Sequence, residues 1–174
     1  MRPQTDGELV AAARGGSREA AAQLFERHWP GAWRAAFAIT GRRAMADDVA
    51  QDAFERAFAA LSRFDRRRPF APWLHRIVVN RSLDLLRSER RLVGGEVVEG
   101  EWHDTESGDR ALLDAVASLP LQRRVVVVLR YGLGFAPAAI ASILGVPEGT
   151  VNSRLARALE QLRAELEVNG VERA

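Results

Sequence analysis

The sequence predicts an all-α fold of two small helical domains, and three observations carry that prediction. Apolar residues recur at three- and four-residue spacing along most of the chain, and no long run alternates β-branched with polar residues. Residues 92–110 break the pattern with six acidic residues and one Arg. The domains are therefore expected at 1–91 and 111–174, joined by a flexible acidic linker at 92–110. A chain of 174 residues, 47% of them apolar, can bury roughly two-thirds of its unfolded surface without staples. The absence of cysteine removes disulfide frameworks, thiolate metal clusters and thiol nucleophiles from consideration.

A first helix is expected from Asp6 to Arg14, broken by Gly15-Gly16. Ser17 caps a second helix running to about Trp29, where Pro30-Gly31 is expected to end it, and a third runs from Ala32 to Thr40. After Gly41, Met45 to Leu61 places Val49, Ala50, Phe54, Ala57, Phe58 and Leu61 on one side. Asp48, Gln51, Asp52 and Glu55 are left as an acidic face. Ser62 to Trp73 mixes prolines, basic residues and three aromatics, and reads as a loop with Pro72 at a helix start. The following helix should reach about Arg91. At ~100° per residue, Leu74, Ile77, Val78 and Leu85 turn inward, while Arg76, Asn80, Asp84, Arg87 and Arg91 share the opposite arc.

Beyond the linker, Arg110 to Ser118 forms a short helix stopped before Pro120, and Leu121 to Tyr131 forms another. Val125 to Leu129 would suit a buried strand, but no partner strand is predicted anywhere in the chain. From Pro137, two helical patterns meet at Gly145-Val146-Pro147, the spacing of a helix-turn-helix. Ala141 supplies the small residue between the helices, Gly145 the turn and Val151 the buried residue near the start of the second. On that second helix Val151, Leu155, Ala158, Leu159 and Leu162 point inward. Ser153, Ala156, Arg157 and Glu160 point away, with Arg154 at the edge. Such a face fits a major groove, where Arg can take a guanine bidentately. The plainer alternative is an amphipathic hairpin with solvated arginines.

The net charge of +2 hides a segregation. Residues 1–91 carry 17 Arg and 11 acidic residues, the linker is net −5, and residues 111–174 are net +1. Polyanion contact is thus expected from the two domains and not from the connector. All 25 basic residues are Arg, which suits phosphate and base recognition but equally reflects genomic base composition. No signal-peptide core and no run of ~20 apolar residues is present, so the chain is expected to be soluble and cytoplasmic, without membrane insertion. His28, His75 and His103 lie in separate segments without metal-ligand spacing, and no phosphate-binding glycine motif occurs. No catalytic residue, cofactor or metal ligand is assigned, and no enzymatic activity is expected.

Three stretches carry a resemblance. They are Ala46-Asp47-Asp48-Val49-Ala50-Gln51-Asp52-Ala53-Phe54, then Phe70-Ala71-Pro72-Trp73-Leu74-His75-Arg76-Ile77-Val78-Val79-Asn80 with Asp84-Leu85-Leu86-Arg87, and Gly149-Thr150-Val151-Asn152-Ser153-Arg154-Leu155-Ala156-Arg157-Ala158. In this order and spacing the chain resembles a bacterial RNA polymerase sigma factor of the extracytoplasmic-function (ECF) subfamily. The resemblance implies that residues 1–91 bind the polymerase clamp and the melted downstream promoter element, while 111–174 read the upstream element as duplex.

It implies a polymerase-binding set of Asp47, Asp48, Gln51, Asp52, Phe54 and Glu55, facing a basic coiled coil. For the melted strand it implies Arg63, Phe64, Phe70, Trp73, Arg76, Asn80, Arg87 and Arg91. Aromatics and backbone-tracking arginines hold unstacked bases in this way, although the three aromatics also suit a core. For the upstream element it implies Thr150, Asn152, Ser153, Arg154, Ala156 and Arg157. The implied partners are core RNA polymerase, promoter DNA and an anti-sigma factor. Two departures stand out. Asn152 replaces a usual basic residue, and losing that cation should weaken phosphate attraction and flatten its salt dependence; Ala138-Ala139 replaces a usual acidic pair. The competing reading is a helix-turn-helix transcriptional regulator with an N-terminal helical sensing domain.

Overall fold

The structure, a computed structural model, describes residues 4–92 and 110–172, and every regular element among them is helical. The acidic segment expected as a linker therefore lies, except for its end residues, outside the described residues. Helix α1 (Asp6–Arg14) begins with a capping box: Thr5 Oγ1 accepts from the Glu8 backbone N–H at 3.3 Å, and the Thr5 N–H donates to the Glu8 carboxylate at 2.7 Å. Helix α2 (Arg18–Thr40) starts at the expected Ser17 cap but runs straight through Pro30-Gly31. One helix thus replaces the two that were expected.

Proline at that position removes one backbone donor and crowds the preceding turn, at a cost of about 3 kcal/mol. Burial on both sides of the interruption outweighs that cost. Leu24 lies before Pro30 and Ala32, Ala35, Ala36 and Ile39 after it, all fully buried. Gly41, with φ +75°, then ends α2 and donates to Phe37 O at 2.7 Å.

Helix α3 (Arg43–Ala60) packs on α2 through Ala46, Val49, Ala50, Ala53 and Ala57, whose short side chains let the backbones approach closely. A 3-10 turn (Leu61–Arg63) leads into the basic loop, and α4 (Phe70–Leu92) begins two residues before Pro72. The interior of α1 to α4 is completed by Leu9, Val10, Leu74 and Val78.

Helix α5 (Arg110–Ser118), α6 (Leu121–Val127), α7 (Pro137–Leu144) and α8 (Glu148–Glu172) form the second half. The valine run is helical, as expected, but its end loosens into a π turn over Val128–Gly132. Val125 to Leu129 are all buried because α6 lies between α8 on one side and the N-terminal half on the other. The covered last turn of α6 needs no polar face, while Gln122 in its first turn stays exposed.

The two halves share a core. Ile39 of α2 and Val79 of α4 lie in one apolar cluster with Leu119, Val125, Leu129 and Ile140, and Leu83 and Leu86 pack against it. In the other direction, Val128 and Leu133 reach the N-terminal core. Sequence reading assigned α4 a single inward face. Val79, Leu83 and Leu86, at spacings of four and three, form a second one that docks the C-terminal half.

His75 lies on this seam, 4% exposed, with its ring edge-on to Phe135 at 5.2 Å and its Nδ1 without a hydrogen-bond partner among the described residues. Arg124 crosses it as well. Its guanidinium donates to Ile39 O at 3.1 Å, to Leu119 O at 3.2 Å and to Ala117 O.

Candidate nucleic-acid interface

On α3, Asp47, Asp48, Gln51 and Glu55 are exposed on one ridge. Asp47 is oriented by the Trp33 indole N–H, which donates to its Oδ1 at 2.6 Å, and Gln51 donates to Glu55 Oε1 at 3.1 Å. Phe54 is not on this ridge. It is 2% exposed and packs between Phe25 and Phe58, so its place is in the core and it offers no surface to a partner.

Asp52 sits at the α4 edge of the ridge and is already engaged. Arg56 Nε donates to its Oδ2 at 2.9 Å. Arg81 Nε of α4 approaches the same oxygen to 2.6 Å, an ionic contact without the alignment of a hydrogen bond. Sequence reasoning missed Arg81, which falls between the polar stripe and the inward face of α4.

The stripe itself forms as expected. Arg76, Asn80, Asp84, Arg87 and Arg91 are exposed along α4, and Arg87 pairs with Asp84 at 3.3 Å. The Asn80 carboxamide makes no hydrogen bond among the described residues, so both its donor and its acceptor are open to a base edge. The aromatics differ from one another. Phe64 and Phe70 are buried and pack edge to face at 5.9 Å, which corrects their reading as base-stacking surfaces. Trp73 is half-buried against Phe64 at 4.6 Å and keeps part of its ring accessible.

The loop over this aromatic floor is built rather than loose. Arg14 donates to Ser62 O at 2.6 Å, and Asp65 accepts from the Arg67 N–H at 3.0 Å. Between the loop and α1 opens a groove of about 480 Å³, edged by Arg66, Arg67 and Arg68 and floored by Val10, Phe64 and Phe70. That volume falls within the range of ligand-sized clefts. Arg63 is exposed nearby.

At the other end, α7 and α8 make the helix-turn-helix. Gly145 adopts φ +66°, its N–H donates to Ala141 O, and Val151 is fully buried behind the turn. Asn152, Ser153, Ala156 and Arg157 are exposed on one face of α8, with Thr150 and Arg154 half-exposed at its margin. Ser153 Oγ donates to Thr150 O at 3.0 Å, which leaves its lone pairs to accept from a base or an ordered water.

Residues 24–92 match the family model described as Sigma-70 region 2, and residues 109–162 match the one described as Sigma-70, region 4. The chain is 36% identical over 160 residues to the ECF RNA polymerase sigma factor SigL of Mycobacterium tuberculosis, covering 86% of this chain and 90% of that protein. The chain belongs to the ECF sigma-factor family. A second member, the RNA polymerase sigma factor CnrH of Cupriavidus metallidurans, is 32% identical and covers 97% of this chain and 98% of its own length. The solved structure of CnrH in complex with the cytosolic domain of CnrY superposes with a TM-score of 0.76 at 32% identity, over 94% of this chain and 97% of that one. The sigma factor RpoE of Bartonella quintana, solved with the anti-sigma factor NepR, shares the fold at 24% identity and a TM-score of 0.72. This ECF factor therefore carries its polar α4 stripe in the region-2 match and its helix-turn-helix in the region-4 match.

Proposed function

We propose that this ECF sigma factor binds core RNA polymerase through the α3 ridge of Asp47, Asp48, Gln51, Asp52 and Glu55. It holds the melted downstream strand along α4 and reads the upstream element with α8. The observation that carries this reading is the co-existence, on one chain, of an exposed Arg/Asn stripe beside a basic groove and an Arg-bearing recognition helix with an open polar face. The first fits unstacked bases and the second fits a duplex groove.

Within the first site we assign the base-edge hydrogen bonds to Asn80, the backbone to Arg63, Arg76, Arg87 and Arg91, and one stacking contact to Trp73. Within the second, Arg154 and Arg157 take bases or phosphates, and Thr150, Asn152, Ser153 and Ala156 line the groove. Melting then needs no chemistry from this chain, because binding the open strand more tightly than the duplex shifts the population. The chain is accordingly a specificity subunit without catalytic activity of its own, acting in the cytoplasm. No helix among the described residues is long and apolar enough to cross a membrane, and no group of three or more His, Asp or Glu is placed to hold a metal.

CnrH was solved bound to the cytosolic domain of another protein. By the same logic, an anti-sigma factor is the controlling partner of this chain. The test is co-purification of the full chain with core polymerase, followed by sequencing of the transcripts that the complex initiates. Stable loading with one enriched start-site motif is expected. A chain that does not load, or that loads without selecting start sites, overturns the reading.

A further inference from the structure

The Asp52 carboxylate belongs to two functions at once. It lies on the ridge assigned to polymerase, yet its Oδ2 is held by Arg81 of α4, the residue next to Asn80. Both side chains are partly exposed, Arg81 at 34% and Asp52 at 28%, although the Arg81 Nε that meets the carboxylate is itself covered. Arg81 sits about 100° around the helix from Asn80, close enough for its long side chain to reach a backbone running along the stripe once its carboxylate is taken.

We propose that Asp52 and Arg81 form an exchange pair. In the free chain Asp52 sequesters Arg81; when a basic polymerase surface takes Asp52, Arg81 is released to a phosphate of the melted strand. Arg81 is then a positioning residue for the polymerase-facing acid and a conditional DNA contact. The competing charges are Arg56, which stays on Asp52 from within α3, and Asp84, which is paired with Arg87. The inference rests on the functional reading above, because it needs polymerase on α3 and DNA on α4. It explains how loading onto polymerase could raise affinity for an open strand without any backbone movement, since one ion pair is replaced by two.

The experiment uses the full chain. If Arg81 competes with polymerase for Asp52, Arg81→Gln should raise affinity for core polymerase, by about two- to five-fold for a pair this exposed; a purely structural Arg81 would lower it or leave it unchanged. From the other side, Asp52→Asn frees Arg81 without polymerase. Free Asp52→Asn protein should bind a fluorescein-labelled random-sequence single strand of about 14 nucleotides more tightly than wild type. Its salt slope should steepen by about 0.7, the value of one added phosphate contact on single-stranded DNA.

Asp48→Asn makes the same charge change on the same ridge without touching Arg81 and should leave the slope at the wild-type value. The pair Asp52→Asn with Arg81→Gln should also return it there. Equal slopes for Asp52→Asn and Asp48→Asn, or unchanged polymerase affinity in Arg81→Gln, overturns the exchange. A wild-type chain that fails to load onto polymerase would instead overturn the functional reading, so the two failures are distinguishable.

Discussion

Acid should open the seam between the two halves, and His75 sets the amount. Its pKa is lowered from 6.5 to about 4, first by burial and second by the neighbouring His28, whose Nε2 is bound to Asp6 at 2.9 Å. Around the ring lie Gly31, where a Cβ would stand 3.6 Å from Nε2, and Phe135, neither with a polar side chain, and Nδ1 has no hydrogen-bond partner among the described residues. A group whose folded value is depressed contributes stability that is complete above 6.5 and is lost as pH falls toward 4.

Between neutral pH and pH 5, full return of the imidazole to water would be worth about 2 kcal/mol; this is a ceiling for the closed–open equilibrium, because His28 and Gly31 belong to the same half as His75. Because the chain has no cysteine, a donor and an acceptor can be attached at cysteines replacing the exposed Arg18 and Arg163, one on each half. Transfer efficiency should fall between pH 6.5 and 5 in the His75-containing protein. It should lose most of that dependence in His75→Met, which keeps an apolar side chain at the seam. A flat wild-type profile, or the same profile in His75→Met, would refute the argument.

Asn80→Ala should lower open-complex formation by about ten-fold, the loss of one bidentate base contact, while leaving polymerase affinity unchanged; fluorescence of 2-aminopurine in the melted region reads the first and size exclusion with core polymerase the second. Arg157→Ala should weaken discrimination among upstream elements by about 1–3 kcal/mol, measured as run-off transcription from templates varied at single positions. Gly145→Ala forces a Cβ into the left-handed region at φ +66° and should destabilise the helix-turn-helix by about 1 kcal/mol, seen as a lower urea midpoint at unchanged slope. Leu24→Ala, in the fully buried centre of α2, should cost about 2–5 kcal/mol in the same assay.

Elements whose ends are set by local chemistry were legible in the sequence. Helix α1 spans the expected Asp6 to Arg14 and stops at Gly15, and the Gly145 turn with Val151 behind it falls where the spacing placed it. What escaped depends on tertiary contact. Pro30 is a sound stop signal in isolation, and only the buried alanines beyond it explain a continuous α2. The same limit hid the second apolar face of α4, because Val79, Leu83 and Leu86 gain meaning only when another half of the chain lies against them.

In the candidate sites, the exposed polar residues of α4 and α8 fell on the arcs that helical periodicity assigns. The aromatics did not separate by pattern. Phe54, Phe64 and Phe70 are ordinary core residues, whereas Trp73 keeps an accessible edge, and the difference is one of packing partners rather than of sequence. Arg81 was missed because an arginine at the margin of a stripe carries no signal until its carboxylate partner is placed beside it.

Arg124 ties the seam with a side chain that is already anchored in its own half. Among the described residues, its carbonyl partners Ala117 and Leu119 belong to its own half and Ile39 lies across the seam. Were the halves to part, the two local oxygens would still hold the guanidinium, and the last turn of α2 would give up one donor to water. Reclosure then asks the side chain for almost no new ordering. Lysine could not do this, since an ammonium has no rigid fork to stay aimed while one acceptor is missing.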